Sequence, residues 1–182
     1  MWWRNAPVLA LVLLLAACQV RPVYYSATGP DGQTLSPTTD LRAIIIDVPA
    51  NEPRRFEENR TAQVLRNELL FLFRGDGGPS DQQLYRLRLI SSLSTDPLAV
   101  ELEEDLPSAI MLTMTGTFIL SELGTERTLL TGSATTTASY DFSSQRFANV
   151  RAERDAGTRA ARSMAQNIGT RIAAYFAARR DS

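Results

Sequence analysis

The chain has 182 residues, a formal net charge of −1 at pH 7, one cysteine and no histidine. This length suits a single domain with one core. The near-neutral charge argues against nucleic acid as a partner, and without histidine the chain cannot form a Ser-His-Asp triad, a Cys-His pair or an ordinary zinc site. Every basic residue is arginine, which suits phosphate and carboxylate ligands, although a genome rich in G and C favours the same composition.

The first eighteen residues predict an exported protein. Arg4 precedes a short apolar run over residues 6–17, which ends in small residues before Cys18. This pattern is typical of a secretory signal peptide, and the run is shorter than the about 20 residues that span a bilayer. Residues 15–18, Leu-Ala-Ala-Cys, resemble the lipobox of bacterial lipoproteins. That resemblance implies cleavage after residue 17 and a lipid on Cys18; the alternative is an ordinary signal peptide with a chance cysteine.

Residues 18–40 predict a lipidated N-terminus and tether, because Gly, Pro, Ser and Thr recur there without an apolar period. A single domain is expected over residues 41–182. A lipidated cysteine is not a nucleophile or a metal ligand. Carboxylates, hydroxyls and arginines are the groups that remain for catalysis, and we expect no metal and no cofactor.

Hydrophobic periodicity predicts the order β-α-β-β-β-α. The predicted strands are 41–48, 83–94 with a possible continuation after Pro97, 110–120 and 128–140, and the predicted helices are 56–73 and 149–178. The apolar residues 43–46 favour an inner or covered strand, and the change of apolar parity at Pro97 implies a bulge, a bend or two strand segments. The fold class is α+β: a two-layer sandwich in which two helices cover one face of a four-stranded, mainly antiparallel sheet.

The charges are distributed unevenly along the chain. An acidic group closes the predicted hairpin after the second strand, and it consists of Glu101, Glu103, Glu104 and Asp105. Exposed acids at a tip are more typical of a solvated turn than of a glycosidase pair, which needs facing carboxyls in a cleft. The last quarter of the chain, 146–180, is basic. The asymmetry allows opposite ends of the fold to face different partners.

Two groups of residues predict a partner surface. Arg86 and Arg88 share the polar, threonine-rich sheet face that the helices leave open. Phe142 and Phe147 follow the last strand. If they are exposed they form a contact surface, and otherwise they cover the end of the helix pair; the sequence leaves both interpretations open.

A family resemblance runs along nearly the whole chain. Residues 18–24, Cys-Gln-Val-Arg-Pro-Val-Tyr, resemble the Cys-Gly-Phe-Arg-Pro-Leu-Tyr opening of the lipopolysaccharide-assembly lipoprotein LptE of α-proteobacteria. Further similar segments, in the family's order, are 64–69 (Val-Leu-Arg-Asn-Glu-Leu), 132–134 (Gly-Ser-Ala), 139–140 (Ser-Tyr), 151–156 (Arg-Ala-Glu-Arg-Asp-Ala) and 173–176 (Ala-Ala-Tyr-Phe).

The resemblance implies a non-enzymatic plug inside the outer-membrane barrel LptD that delivers lipopolysaccharide to the outer leaflet. Basic residues at the strand-helix junction are implied to touch lipopolysaccharide, and Arg151 and, less closely, Arg146 match that position. The acidic residues 101–105 stand where some relatives carry a basic residue, which argues against lipopolysaccharide contact there. Alternatives are an auxiliary lipoprotein of another envelope transport system and a carboxylate hydrolase.

Overall fold

The computed structural model describes residues 27–28, 34–35, 37–48, 56–75, 77–101 and 106–180. The elements within these ranges are, in chain order, β1 (Ala27–Thr28), β2 (Thr34–Leu35), α1 (Pro37–Arg42), β3 (Ile44–Asp47), α2 (Phe56–Arg74), β4 (Tyr85–Glu101), β5 (Leu106–Glu122), β6 (Thr128–Asp141) and α3 (Arg146–Arg180). β1 and β2 pair with each other as a separate antiparallel ribbon.

The main sheet has four strands in the order β3-β4-β5-β6. β3 pairs with β4 in parallel, and the other two pairings are antiparallel. The predicted α+β class and its element order are therefore confirmed. The sheet is mixed because α2 carries the chain from the end of β3 back to the start of β4, as a helical crossover between parallel strands requires.

The two long helices run parallel to each other. β3 and β6 point the same way, so the helices that follow them both return in the opposite direction. Small residues of α3 allow the approach: a Cβ at Gly157 would lie 3.1 Å from Thr61 Oγ1, and one at Gly169 would lie 3.3 Å from Leu72 Cδ1. Both helices cover the same face of the sheet.

The core lies between this helix layer and the inward side chains of the strands. On the inner face of α3, Met164, Ile168 and Ile172 are 0 % exposed, and Phe176 is 1 % exposed. Fully burying a side chain of this size stabilises the fold by about 1.5–3 kcal/mol. The helix layer is therefore fixed mainly by the part of α3 beyond its first turns.

The start of the domain differs from the prediction. Leu41 lies in α1 and is 1 % exposed, and the strand begins at Ile44 rather than at residue 41. Pro37, which falls in the predicted tether, is the first residue of α1, and proline at the first helical position is common. The domain boundary at residue 41 stays a prediction.

The interpretation of the first strand as an inner one is wrong. β3 is an edge strand of four residues. Ile44 and Ile46 are buried against the helices, whereas Ile45 is 39 % exposed on the open face. The apolar run therefore reflects one buried face and one exposed isoleucine.

β4 and β5 form a long hairpin. β4 continues through Pro97, with shifts of register on both sides of Ala99, so the predicted bulge is confirmed. Glu101 pairs with Leu106, and this supports the predicted hairpin. Glu103, Glu104 and Asp105 lie outside the described residues.

Candidate functional site

The first turns of α3 form the candidate site, and hydrogen bonds fix where they begin. The helix starts at Arg146, three residues before the predicted start. The N–H groups of Ala148 and Asn149 donate to the Gln145 carbonyl oxygen at 3.1 and 3.2 Å. The Asn149 side chain reaches back: its Oδ1 accepts the Ser143 N–H at 2.9 Å, and its Nδ2 donates to the Ser143 carbonyl at 2.7 Å. The helix start is thereby attached to the turn that follows β6.

An open cavity of about 480 Å³ lies along these turns. Its described lining residues are Gln145, Phe147, Ala148, Val150, Arg151 and Arg154. Residues spaced by three and four positions share one face of a helix, so Val150 and Arg151 both lie beside Phe147. Phe147 is 87 % exposed and Val150 is 39 % exposed. The site therefore offers apolar surface next to a guanidinium group.

Two arginines at the helix start form no ion pair within the described part of the chain. Arg146 and Arg151 are exposed, and in the described part of the chain neither side chain has an ion pair or a hydrogen bond. The first turn of α3 holds no acidic residue. Because the N-terminal end of a helix is itself partly positive, a cation there is unfavourable by about 0.3–1 kcal/mol. An anionic ligand would relieve this repulsion.

Arg154 connects the cavity to α2. Its Nε lies 3.1 Å from Glu57 Oε1, and its carbonyl oxygen accepts a hydrogen bond from Arg60 Nη1 at 3.3 Å. Arg154 is therefore held in place by the fold, whereas Arg151, one turn earlier, is not.

The other predicted partner residues are not all brought to this site. Arg86 and Arg88 lie at the opposite end of the sheet, near the β5–β6 turn. Arg86 Nη1 contacts Glu126 Oε1 at 2.9 Å, and Arg88 Nε lies 3.9 Å from Asp47 Oδ2. Both remain on the sheet face that none of the described helices covers, as predicted.

The two phenylalanines have different environments. Phe147 is exposed at the cavity, which favours the contact-surface interpretation for it. Phe142 is half-buried, and its N–H donates to the Ser108 carbonyl at 3.0 Å. This bond places the start of α3 beside the β4–β5 hairpin. The basic helix start and the outer part of the hairpin therefore lie at the same end of the fold, not at opposite ends. Cys18 lies outside the described residues.

Burial shifts one titratable group near the site. Burial, together with the charge of Glu153, raises the pKa of Tyr140 above its ordinary value of 10.0. At the other end of the sheet, burial is also the main cause that raises the pKa of Tyr85, and nearby Asp40 adds to it. Neither tyrosine is prepared to act as a base at neutral pH.

Sequence reasoning missed Val150 and Arg154 as cavity residues and Asn149 as the side chain that fixes the turn. Val150 and Arg154 follow Phe147 at helical spacing, so an earlier helix start would have placed them on its face. The signal for that start is the polar pair before Gln145, since serine favours turns and helix caps.

The described residues contain no group of three or more Cys, Asp or Glu side chains placed to hold a metal ion. None of the described helices combines the length and apolar character that crossing a membrane requires.

Solved structures share this fold. A candidate lipoprotein from Caulobacter crescentus CB15 matches with a TM-score of 0.56 and 20 % identity, over 79 % of this chain and 96 % of that chain. A minor lipoprotein from Acinetobacter baumannii matches with a TM-score of 0.50 and 18 % identity, over 72 % and 90 % of the two chains. Rare lipoprotein B from Shewanella oneidensis has a TM-score of 0.48 and 15 % identity, over 69 % and 89 %. No curated protein sequence matches the chain. The first two matches define the class of the fold: an open mixed sheet under two long helices, of the kind found in these lipoproteins.

The sequence also matches the family model described as LptE, lipopolysaccharide-assembly, over residues 41–172. This match spans well over half of the chain. The chain belongs to the LptE family and is an LptE-like lipoprotein of the cell envelope, which confirms the predicted family.

Proposed function

We propose that this chain is a non-enzymatic lipoprotein of the outer membrane that forms a plug-and-barrel complex with LptD and takes part in placing lipopolysaccharide in the outer leaflet. Membership of the LptE family over residues 41–172 carries the proposal. The predicted lipid on Cys18 would anchor the chain, residues 18–40 would act as the tether, and residues 41–182 would form the domain that enters the complex.

The start of α3 is proposed as the lipopolysaccharide contact. Lipopolysaccharide combines phosphate groups with acyl chains, and the cavity presents the two complementary chemistries side by side. Arg151 and Arg146 form no ion pair in the described part of the chain, and arginine forks bind phosphate in a bidentate way. Phe147 and Val150 supply exposed apolar surface on the same helix.

The open sheet face is proposed as the surface toward LptD. It carries Arg86 and Arg88 together with the exposed side chains of Ile45 and Ile90, which are 39 % and 47 % accessible. Apolar side chains on a face that no helix covers are typical of a contact surface. Phe142, half-buried beside Ser108, is proposed only as the edge of the α3 contact surface.

Depletion of the chain tests the complex with LptD. Loss of mature LptD and of surface lipopolysaccharide is the expected result. Normal levels of both would reject the proposal. Affinity capture of the full chain from membranes adds a second measurement, in which LptD is recovered; recovery of another envelope transport system without LptD would favour the auxiliary-lipoprotein alternative.

Ile90→Glu tests the proposed surface. The buried charge would disfavour the contact, so we expect reduced recovery of LptD with unchanged folding. The matched control is Thr137→Glu, which makes an equal charge change on the same face but on β6. If the contact is centred on β4, this variant should recover LptD normally. If both variants and the parent chain recover equal amounts of LptD, the open face does not contact LptD.

A further inference from the structure

The outer edge of the sheet at β6 has no protection in its own sequence. β6 is the last strand in the order, so among the described strands one side of its backbone has no neighbour. Residues 130–140 contain no charged residue and no proline, and they are rich in threonine. Such an edge is a template for pairing with another strand, and folded proteins usually blunt it with charges, proline or bulges.

Two arginines of α3 occupy backbone carbonyl groups of this strand. Arg171 Nη1 donates to the Ser133 carbonyl at 2.7 Å, and Arg159 Nη2 donates to the Ser139 carbonyl at 2.8 Å. Ser133 and Ser139 are an even number of residues apart, so their carbonyls point to the same side of the strand, away from β5. The Nε of Arg159 is also held by Asp155 Oδ2 at 2.8 Å, which directs this side chain toward the edge.

The spacing of the two contacts leaves little room for a new strand. Six residues of an extended strand span about 20 Å. Between Ser133 and Ser139, only Thr135 and Thr137 point their backbone N–H and C=O groups to the same outer side of the strand. A strand that pairs with β6 beyond residues 134–138, in either direction, would have to displace one arginine before it could bond to the Ser133 or Ser139 carbonyl.

We propose that Arg159 and Arg171 close the β6 edge against strand pairing and so keep the chain from associating with a second copy of itself through β6. Two side chains of the covering helix thereby supply the protection that the strand lacks. This role concerns the chain alone and is independent of the proposed complex with LptD.

The test is the oligomeric state of the full chain in a mild detergent, measured by size-exclusion chromatography with light scattering. The double variant Arg159→Ala with Arg171→Ala is expected to form dimers or larger species at concentrations at which the parent chain is monomeric. The matched control is Arg154→Ala with Arg162→Ala, which also removes two charges from α3 but leaves the edge contacts intact, and it is expected to remain monomeric.

Adding Thr135→Lys to the double variant is expected to restore the monomer, because a lysine on an edge strand opposes pairing. A folded double variant that stays monomeric, or association that Thr135→Lys does not reverse, would overturn the proposal, as would association of the parent chain itself. If circular dichroism shows that the double variant is unfolded, Arg171→Gln alone exposes the carbonyl of Ser133 and keeps the Arg159 contact. Association of Arg171→Gln would support the proposal, and a folded Arg171→Gln variant that stays monomeric would overturn it.

Discussion

Arginine is used differently in two regions of α3. From the third turn onward, four arginines contact an acid of α2 or a carbonyl of β6, and these are Arg154, Arg159, Arg162 and Arg171. In the first two turns, Arg146 and Arg151 have no such contact in the described part of the chain. Between Arg146 and Arg171, one basic stretch of sequence therefore divides into a part that holds the fold together and a part that is available to a ligand.

The exposure of the apolar residues of α3 changes at the same point along the helix. Ile168 and its neighbours on the inner face of α3 are 0 % exposed, whereas Phe147 in the first turn is 87 % exposed. In the first turns of α3, unpaired charge and exposed apolar surface occur together where the helix extends beyond the start of α2. Residues that break local rules of stability are expected at functional sites, and this helix end breaks two of them.

The largest expected difference between the regions is in packing. Ile168→Ala removes a fully buried side chain and is expected to lower the free energy of unfolding by about 2–4 kcal/mol. Val150→Ala, at a position 39 % exposed, is expected to change it by less than about 0.5 kcal/mol. Urea denaturation of the two variants measures this. Similar losses in both would mean that the helix start is part of the core.

The next effect concerns the hydrogen bonds that fix the helix start. Asn149→Ala removes the side-chain bonds to Ser143 and is expected to destabilise the first turns by about 1 kcal/mol. Hydrogen exchange should become faster in residues 146–151 and remain unchanged around Ile168. Unchanged exchange at both places would show that Asn149 does not fix the turn.

Charge changes should have opposite signs in the two regions. Arg162→Ala removes a partly exposed ion pair with Glu68 and is expected to cost less than about 1 kcal/mol, and less still at high salt. Arg146→Glu replaces a cation by an anion at the positive end of the helix and is expected to stabilise the chain by about 0.3–1 kcal/mol. Thermal unfolding at low ionic strength measures both. Destabilisation by Arg146→Glu would mean that this residue has a structural partner.

The smallest effect is a loss of stability at high pH. Because burial raises the pKa of Tyr140 and of Tyr85 above 10.0, the neutral phenols are favoured in the folded chain. The two neutral phenols contribute fully to the free energy of unfolding below pH 10.0. This contribution is lost as the pH rises through their folded-state pKa values. Tyr140→Phe should remove part of the decline, and Glu153→Gln should lower the pKa of Tyr140 in part, since burial remains. Ultraviolet titration of the phenols measures these shifts, and an ordinary pKa for both tyrosines would contradict the expectation.

Periodicity could predict most of the sheet and both long helices because their apolar spacing is regular. The inward residues of β5, such as Leu112 and Phe118, alternate with threonines, and the stripe of α3 repeats every three to four residues. α1 was missed because six residues contain too few turns for a period, and Ser-Pro also marks turns. The edge position of β3 depends on long-range pairing, which its own composition does not encode.

The candidate site was only partly predictable. Family resemblance pointed to Arg151 and Arg146, but whether an arginine is paired depends on which acids the folded chain brings near it. Glu57 and Glu68 are distant in sequence from the arginines they neutralise. The sequence therefore shows a basic helix, and only the packing distinguishes its bound arginines from its unpaired ones.

Binding of lipopolysaccharide to the full chain in mild detergent tests the central claim most directly. Arg146→Glu with Arg151→Glu is expected to weaken binding by about tenfold or more, equivalent to at least about 1.4 kcal/mol, without loss of stability. Arg162→Glu with Arg179→Glu, two equal charge changes on the exposed surface farther along α3, controls for net charge and should leave binding close to that of the parent chain. Equal weakening in both double variants, or unchanged affinity after reversal of Arg146 and Arg151, would contradict the assignment of the helix start as the lipopolysaccharide contact.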